Sequence, residues 1–368
     1  MRRRSTRFAV PLAAALSLAL LATACGGSDD KTGTASTDTG GPSTATTKEP
    51  ALSATLNASG ATFPKGFYEV VIAGYKKAQP GVTVNYNATG SGAGRQALQD
   101  GVVDFAGSDG LVAAADVSKY KGEFLYIPTT AAPITVSYNL GDVKDLTLDA
   151  DTIAKLFQRQ IKKWDDPAIA ALNPGVKLPA TDVTVAHRSD GSGTTENFTK
   201  YLVAAAPGAW TLKSGSTVEW PTDTQGGNGN QGVAQIVKST AGAVGYVDLS
   251  DAKASGLQFA KVKNKTGKAV TADLAGATAA LAGAPINADL TYNPLNAEGA
   301  DAYPITAPTW ILVYKNQADK TKGEAIRSFL RYLLTDGQKL AQDIDYAPLA
   351  PSLLQKAVSQ LDILVVPA

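Results

Sequence analysis

Cysteine and histidine occur once each, as Cys25 and His187, in a chain of 368 residues. One cysteine excludes a disulfide framework and, at that position, leaves no cysteine nucleophile to consider. A single histidine cannot anchor a metal site, and the His-Asp spacing of a hydrolytic metal centre is missing. No Gly-x-x-x-x-Gly-Lys-Ser/Thr run occurs. Neither Ser91 nor Ser192 has glycine two places before it, which excludes a nucleophile elbow. Arg95 stands where a Gly-x-Gly-x-x-Gly dinucleotide fingerprint would need its last glycine. After the first two dozen residues no apolar run is long enough to cross a bilayer, and no repeat of solenoid length is present. Charge is scarce as well. The formal net charge is +1, and without Arg2, Arg3, Arg4 and Arg7 it falls by four to −3, which excludes the basic face expected of a nucleic-acid binder.

What is present begins at the amino terminus. The four arginines precede an apolar stretch, Phe8 to Leu21, that ends in Ala22-Thr23-Ala24-Cys25. This pattern predicts a lipoprotein signal peptide over residues 1–24, with Cys25 as the thiol that takes a diacylglycerol anchor. Ala22 departs from the leucine usual at its place. Residues 25–50 are rich in Gly, Ser, Thr, Asp and Lys, and bury too little apolar surface to order themselves; a flexible tether is expected. The roughly 318 residues that follow suffice for two domains of ordinary size.

Three glycine- or hydroxyl-rich turns stand where a strand hands over to a helix. Ala61-Thr62-Phe63-Pro64 precedes a helical pattern of Phe67, Val70, Val71, Gly74, Tyr75 and Ala78, with Pro64 suited to the first helical position and Pro80-Gly81 as the stop. Alternating Val82, Val84 and Tyr86 lead to Gly90-Ser91-Gly92 and a short helix over about Ala93 to Gln99. Val183 to Ala186 lead to His187-Arg188-Ser189-Asp190-Gly191-Ser192-Gly193-Thr194-Thr195, followed by Phe198, Tyr201, Leu202 and Ala205 at helical spacing. Amides at a fresh helix start lack internal partners and face the positive end of the helix dipole. With the planar fork of Arg188 they suit a tetrahedral oxyanion. A helix cap beside a surface arginine is the plainer alternative. A fourth burst, Val102-Val103-Asp104-Phe105, delivers Ser108-Asp109-Gly110, which on its own reads equally as a solvated turn.

Taken in order, these runs resemble the phosphate-binding proteins of bacterial ABC phosphate transporters, class II solute-binding proteins. Lys162-Lys163-Trp164-Asp165-Asp166-Pro167, Leu172-Asn173-Pro174-Gly175, Gly242-Ala243-Val244-Gly245-Tyr246-Val247 and Tyr346-Ala347-Pro348-Leu349 add to the resemblance, which runs from about Ser53 to the last residues. It implies that inorganic phosphate is contacted by Thr62, the Phe63 amide, Ser91, Asp109, Arg188, Ser192, Gly193 and Thr194, while Asp190 holds the Arg188 fork from behind. It implies no catalysis, no cofactor and no metal. The partners it implies are a membrane permease and its ATPase subunits, met by a monomer held at the outer face of the cell membrane through Cys25. His187 reads as structural, and Trp164, Trp220 and Trp310 as packing residues. Gly226 to Gly232 has no ligand role that the sequence supports.

Hydrogen phosphate needs donors for its oxygens and one acceptor for its proton. Asp109 can accept that proton, whereas fully ionised sulfate or molybdate would meet an unpaired, repelling carboxylate. A binding protein for another oxyanion, a secreted phosphatase using Ser192 or Thr194, and a surface receptor with an incidental pocket are the alternatives. Strands alternating with helices predict an α/β fold with largely parallel sheets. The similar segments Ile127–Val136 and Tyr303–Leu312, each with two prolines, predict paired hinge crossovers between two lobes around a ligand cleft. Lobe one is then 51–130 with 305–368, and lobe two 131–304.

Overall fold

The structure, a computed structural model, describes residues 51–368. The leader 1–24, Cys25 and the tether 26–50 lie outside the described residues. The chain opens with β1 (Ala54–Gly60), α1 (Lys65–Ala78), β2 (Val82–Ala88), α2 (Ser91–Asp100), β3 (Phe105–Ser108) and the long β4 (Phe124–Tyr138). There follow β5 (Thr147–Leu148), α3 (Ala150–Phe157), α4 (Pro167–Leu172), β6 (Thr184–Arg188), α5 (Gly193–Ala205), β7 (Gln225–Gly227), α6 (Gly229–Ser239), β8 (Ala243–Asp248) and α7 (Leu249–Ala254). The last third contains β9 (Gln258–Phe259), β10 (Lys261–Lys263), β11 (Ala269–Val270), α8 (Leu274–Ala282), β12 (Thr306–Tyr314), α9 (Lys320–Leu334) and α10 (Pro351–Gln360).

The strands run in the order β2-β1-β3-β12-β4-β8-β6-β7, with β9 also on β4, and β11-β10-β5 form a small separate sheet. Parallel pairing joins β1 to β2 and β3, and β6 to β7 and β8. The expectation of largely parallel sheets holds at these two ends only. In the middle, β12 pairs antiparallel with both β3 and β4, and β4 pairs antiparallel with β8. The reason lies in β4, which is buried along almost its whole length and serves two sheets. Its residues 124–133 pair with β12, and Ile134 onward pairs with β8. This is the two-lobed α/β architecture with strand crossovers between the lobes.

Local chemistry explains the elements around the crossovers. α1 buries Phe67, Tyr68, Val71 and Tyr75 at helical spacing and carries Lys76 and Lys77 in its last turn, where the dipole favours cations. Pro64 caps this helix and is not its first residue, a one-residue shift at a boundary. α2 runs longer at both ends than the pattern predicted, so Ser91 opens the helix. In one lobe Phe105 stacks on Phe329 at 5.6 Å, and in the other Phe198 stacks on Tyr246 at 4.4 Å. Trp164 and Trp310 are buried, their indole N–H groups donating to Gly242 O at 2.9 Å and Leu290 O at 3.2 Å. Trp220 lies half-buried against His187, ring centroids 5.0 Å apart. Among the described residues no helix is long and apolar enough to cross a membrane.

Replacing Trp164 by Ala is expected to destabilise the protein by about 3–5 kcal/mol, because a fully buried indole leaves a cavity. Urea unfolding followed by circular dichroism checks this.

Candidate functional site

The parallel strands set the site. The carboxyl ends of β1, β2 and β3 lead to Thr62-Phe63, Ser91 and Asp109, and that of β6, in the other parallel set, leads to Arg188–Thr194. Open α/β sheets place ligand crevices at such ends. Thr62, Phe63, Ser91, Asp109, Arg188, Ser192, Gly193 and Thr194 are all buried, whereas Ser189 is exposed.

Ser192 caps α5. Its Oγ accepts from Thr195 N at 3.0 Å, so what its side chain can still offer a guest is the hydroxyl proton. The Gly193 and Thr194 amides lie in the first turn and have no carbonyl four residues back within the helix. Tyr246, from β8, steadies the same corner: its hydroxyl accepts from Arg188 N at 3.1 Å and pairs with Thr195 Oγ1 at 2.6 Å.

Arg188 is held on two sides. Asp190 meets it in bidentate fashion, Oδ1 accepting from Nε at 2.7 Å and Oδ2 from Nη2 at 2.5 Å. Asn230 Oδ1 accepts from Nη1 at 2.8 Å, and Thr194 Oγ1 lies 3.4 Å from the same nitrogen. Burial acts to raise the Asp190 carboxyl, but the bond to Arg188 and its charge outweigh it and leave the carboxyl below its usual range.

Asp109 faces this cluster from the end of β3 and is only 2% exposed. Its Oδ1 accepts from Thr309 Oγ1 at 2.7 Å, and its Oδ2 lies 3.4 Å from Ser91 Oγ. Burial pushes its carboxyl up to about 7, against the opposing pull of the Thr309 bond, Arg188, Ser91 and Arg95. The clearance is set by glycine. A Cβ on Gly193 would lie 2.4 Å from Ser91 Oγ and 2.8 Å from Asp109 Oδ2, so only glycine allows the α5 mouth to come this close. Gly90, at φ 97° beside the Asp190 carboxylate, is the matching point across the cleft.

The two sides touch directly. Gly92 N donates to Gly191 O at 2.8 Å, Asn197 Nδ2 to Asp109 O at 2.6 Å, and Asn230 N to Thr62 Oγ1 at 3.3 Å. Arg95 of α2 pairs with Glu196 of α5 at 3.5 Å. Among the described residues no group of three or more His, Cys, Asp or Glu side chains is placed to hold a metal ion. His187 turns its Nδ1 to Arg188 O at 2.9 Å and its ring to Trp220, away from this cluster.

Sequence reasoning missed four residues. Asn230 sits in the Gly226–Gly232 segment, which is the end of β7 and the start of α6, and it links Arg188 to buried Asp248 through Nδ2 at 2.8 Å. Asp248 caps α7; burial and the nearby Asp251 charge push its carboxyl well up. Tyr346 donates to Phe63 O at 2.7 Å, at the start of α1. Thr309 reaches Asp109 from 200 positions away. The glycine-rich loop and the Tyr346-Ala347-Pro348 run were visible as patterns, but no local pattern pointed from Thr309 to Asp109.

A profile for the PBP superfamily domain matches residues 44–337. The chain is 35% identical over 312 residues to the phosphate-binding protein PstS of Pasteurella multocida, covering 83% of this chain and 89% of the relative. It is 37% identical over 325 residues to the phosphate-binding protein PstS of Methanocaldococcus jannaschii, covering 82% and 83%. Solved structures agree in fold. A high-affinity periplasmic phosphate-binding protein bound with phosphate, PfluDING, superposes with a TM-score of 0.71 at 19% identity, over 86% of this chain and 100% of that one. The phosphate-binding protein of Stenotrophomonas maltophilia gives 0.65 at 20% identity, over 83% and 94%. The chain belongs to the PBP superfamily and, within it, to the family of phosphate-binding proteins named PstS.

Proposed function

We propose that this protein captures inorganic phosphate between its lobes and hands it to an ABC import permease driven by ATPase subunits, without catalysis. The observation that carries the reading is the meeting of Asp109 and Arg188 at the Ser192–Thr194 helix start. Thr62, the Phe63 amide, Ser91, Arg188, Ser192 and the Gly193 and Thr194 amides then donate to phosphate oxygens, and Asp109 accepts the proton of the guest. The lobe assignment, 51–130 with 305–368 against 131–304, is supported by the division of β4 between two partners at residue 133. Anchoring through Cys25 and action as a monomer complete the proposal; the leader pattern supports the first, and Cys25 itself lies outside the described residues.

The chemistry favours phosphate over sulfate. A carboxylate in a dry anion pocket repels any guest that brings no hydrogen, and a polar site rejects most strongly the analogue lacking the group it was built to bond. His187, the one histidine of the sequence, packs on Trp220, which leaves no imidazole base beside Ser192 or Thr194.

Calorimetric titration of the soluble domain is expected to show phosphate binding at micromolar strength or tighter, about −8 kcal/mol, with sulfate excluded. Asp109→Asn is expected to keep much of the phosphate affinity and to raise sulfate affinity by about tenfold or more, since an amide can donate to sulfate; unchanged exclusion of sulfate would count against the role of Asp109. Arg188→Lys is expected to weaken phosphate by at least about tenfold, because a point charge cannot reproduce the bidentate fork.

The Asp109 carboxyl also makes stability depend on pH. Its folded-state value is raised from 3.8 to about 7, so the folded protein binds more protons than the unfolded chain in that interval. Thermal melts without phosphate should therefore show stability fully present below pH 3.8 and lost as pH rises to about 7, and Asp109→Asn should flatten that slope.

A further inference from the structure

We propose that Thr309 is a positioning residue for Asp109 and sets anion selectivity, its hydroxyl holding one carboxylate oxygen so that only the other faces the guest. The inference rests on the reading of Asp109 as the acceptor for phosphate. It begins with register. Trp310 of β12 pairs antiparallel with Ser108 of β3, so one step further Thr309 lies across from Asp109 and on the same face. The Thr309 hydroxyl has one proton and spends it on Asp109 Oδ1 at 2.7 Å, its next acceptor, Ser108 O, being at 3.5 Å. The other oxygen, Oδ2, points to the α5 mouth, where a Cβ on Gly193 would approach within 2.8 Å of it.

An irregularity in the hinge strands fixes this aim. Thr309 pairs with Thr130 of β4 but Trp310 pairs with Pro128, which leaves Thr129 as an extra residue in β4. Bulges of this kind bend a strand and redirect neighbouring side chains. The carbonyl and the hydroxyl of Thr129 are both engaged. Its carbonyl accepts from Gln338 Nε2 at 2.8 Å, its hydroxyl lies 3.3 Å from Thr309 O, and Tyr68 OH stands 3.1 Å from that hydroxyl. Gln338 is itself held by Leu349 N at 2.9 Å. The bulge is therefore clamped from α1 and from the segment after α9, and Thr309 is fixed with it.

The charged and titratable groups around Asp109 are Arg188 from β6, Arg95 from α2 with its partner Glu196 from α5, Tyr68 from α1, Tyr86 from β2 and Tyr346. The cations favour its charged form and burial disfavours it; Thr309 adds a neutral donor to the charged form. Loss of that donor lets the carboxyl keep its proton to higher pH. A protonated carboxyl can donate, and it then accepts an anion that carries no hydrogen.

The test is calorimetric titration of inorganic phosphate and sulfate, from pH 5 to 9, on wild type, Thr309→Val, Thr309→Ser, Asp109→Asn and the Thr309→Val/Asp109→Asn double variant. Thr309→Val is expected to lose about tenfold of the phosphate-over-sulfate preference near neutral pH, with its sulfate profile displaced to higher pH. Thr309→Ser should restore both, and Thr309→Val should add nothing in the Asp109→Asn background. Equal weakening of both anions by Thr309→Val, or an unchanged preference and profile, overturns the inference. A wild type that does not bind phosphate overturns the underlying reading and this inference together. Should Thr309→Val fail to fold, Thr309→Ala under the same titrations decides between the same outcomes.

Discussion

A carboxylate buried in the same pocket as the donors for an anion is the constraint on which the rest of the structure depends. Left alone, Asp109 would be neutralised by burial. Thr309, Ser91, Arg188 and Arg95 pull the other way, and the balance leaves its carboxyl at about 7, where a small change in surroundings decides whether it accepts or donates. Arg188 cannot be a free positive charge in such a pocket either. Asp190 neutralises it at close range and holds the guanidinium flat, leaving part of Nη1 and Nη2 to a guest. The site thus offers aligned donors and little net charge. On the proposed reading an anion there is held by local hydrogen bonds, in keeping with a formal net charge of only +1.

The sheet topology supplies those groups from far apart in sequence. Each lobe has parallel strands whose carboxyl ends open on the cleft, and each strand end is followed by a helix whose first amides are unpaired. Between the lobes, β4 and β12 run antiparallel, and β4 gives its first part to one lobe and its second to the other. Bending at this join moves whole strand ends together. On the proposed lobe assignment, that would couple the approach of Arg188 to Asp109 without altering either local turn.

The local part of this was legible in the sequence. A strand pattern, a glycine or hydroxyl turn and a helical pattern each occupy about a dozen residues, so the starts of α1, α2 and α5 could be placed with Thr62, Ser91 and Ser192 at their mouths. The crossovers were readable as two Pro-bearing segments, although the antiparallel pairing that dominates the middle of the sheet was not. Nothing local marks Thr309 or Asp248, and the patterns around Asn230 and Tyr346 were visible without pointing to a role. Their roles come from strand register and from helix packing across 40 to nearly 300 residues of chain. Asn230 shows the limit well: its glycine-rich neighbourhood stood out, yet only the fold reveals that its amide spans Arg188 and Asp248 while its backbone N–H reaches Thr62.

The glycines at the cleft act through the Cβ they lack. Gly92 N bonds Gly191 O across the lobes, and Gly193 brings the α5 start against Ser91 and Asp109. A methyl group on Gly193 would come within 2.4 Å of Ser91 Oγ and force that approach apart, whereas one on Gly92 would stand 3.1 Å from Gly191 Cα and ask for a smaller shift. Selectivity depends on the Gly193 approach. In a wedged cleft water can hydrate Asp109, and a hydrated carboxylate no longer distinguishes an anion with a proton from one without. On the proposed reading, closure to van der Waals contact removes the water, so that beside the long contact from Ser91 Oγ the hydrogen left for Asp109 Oδ2 to accept is one that the guest brings. On that same proposed reading, recognition of a single proton is therefore a property of how near two glycine turns can come, as much as of the carboxylate itself.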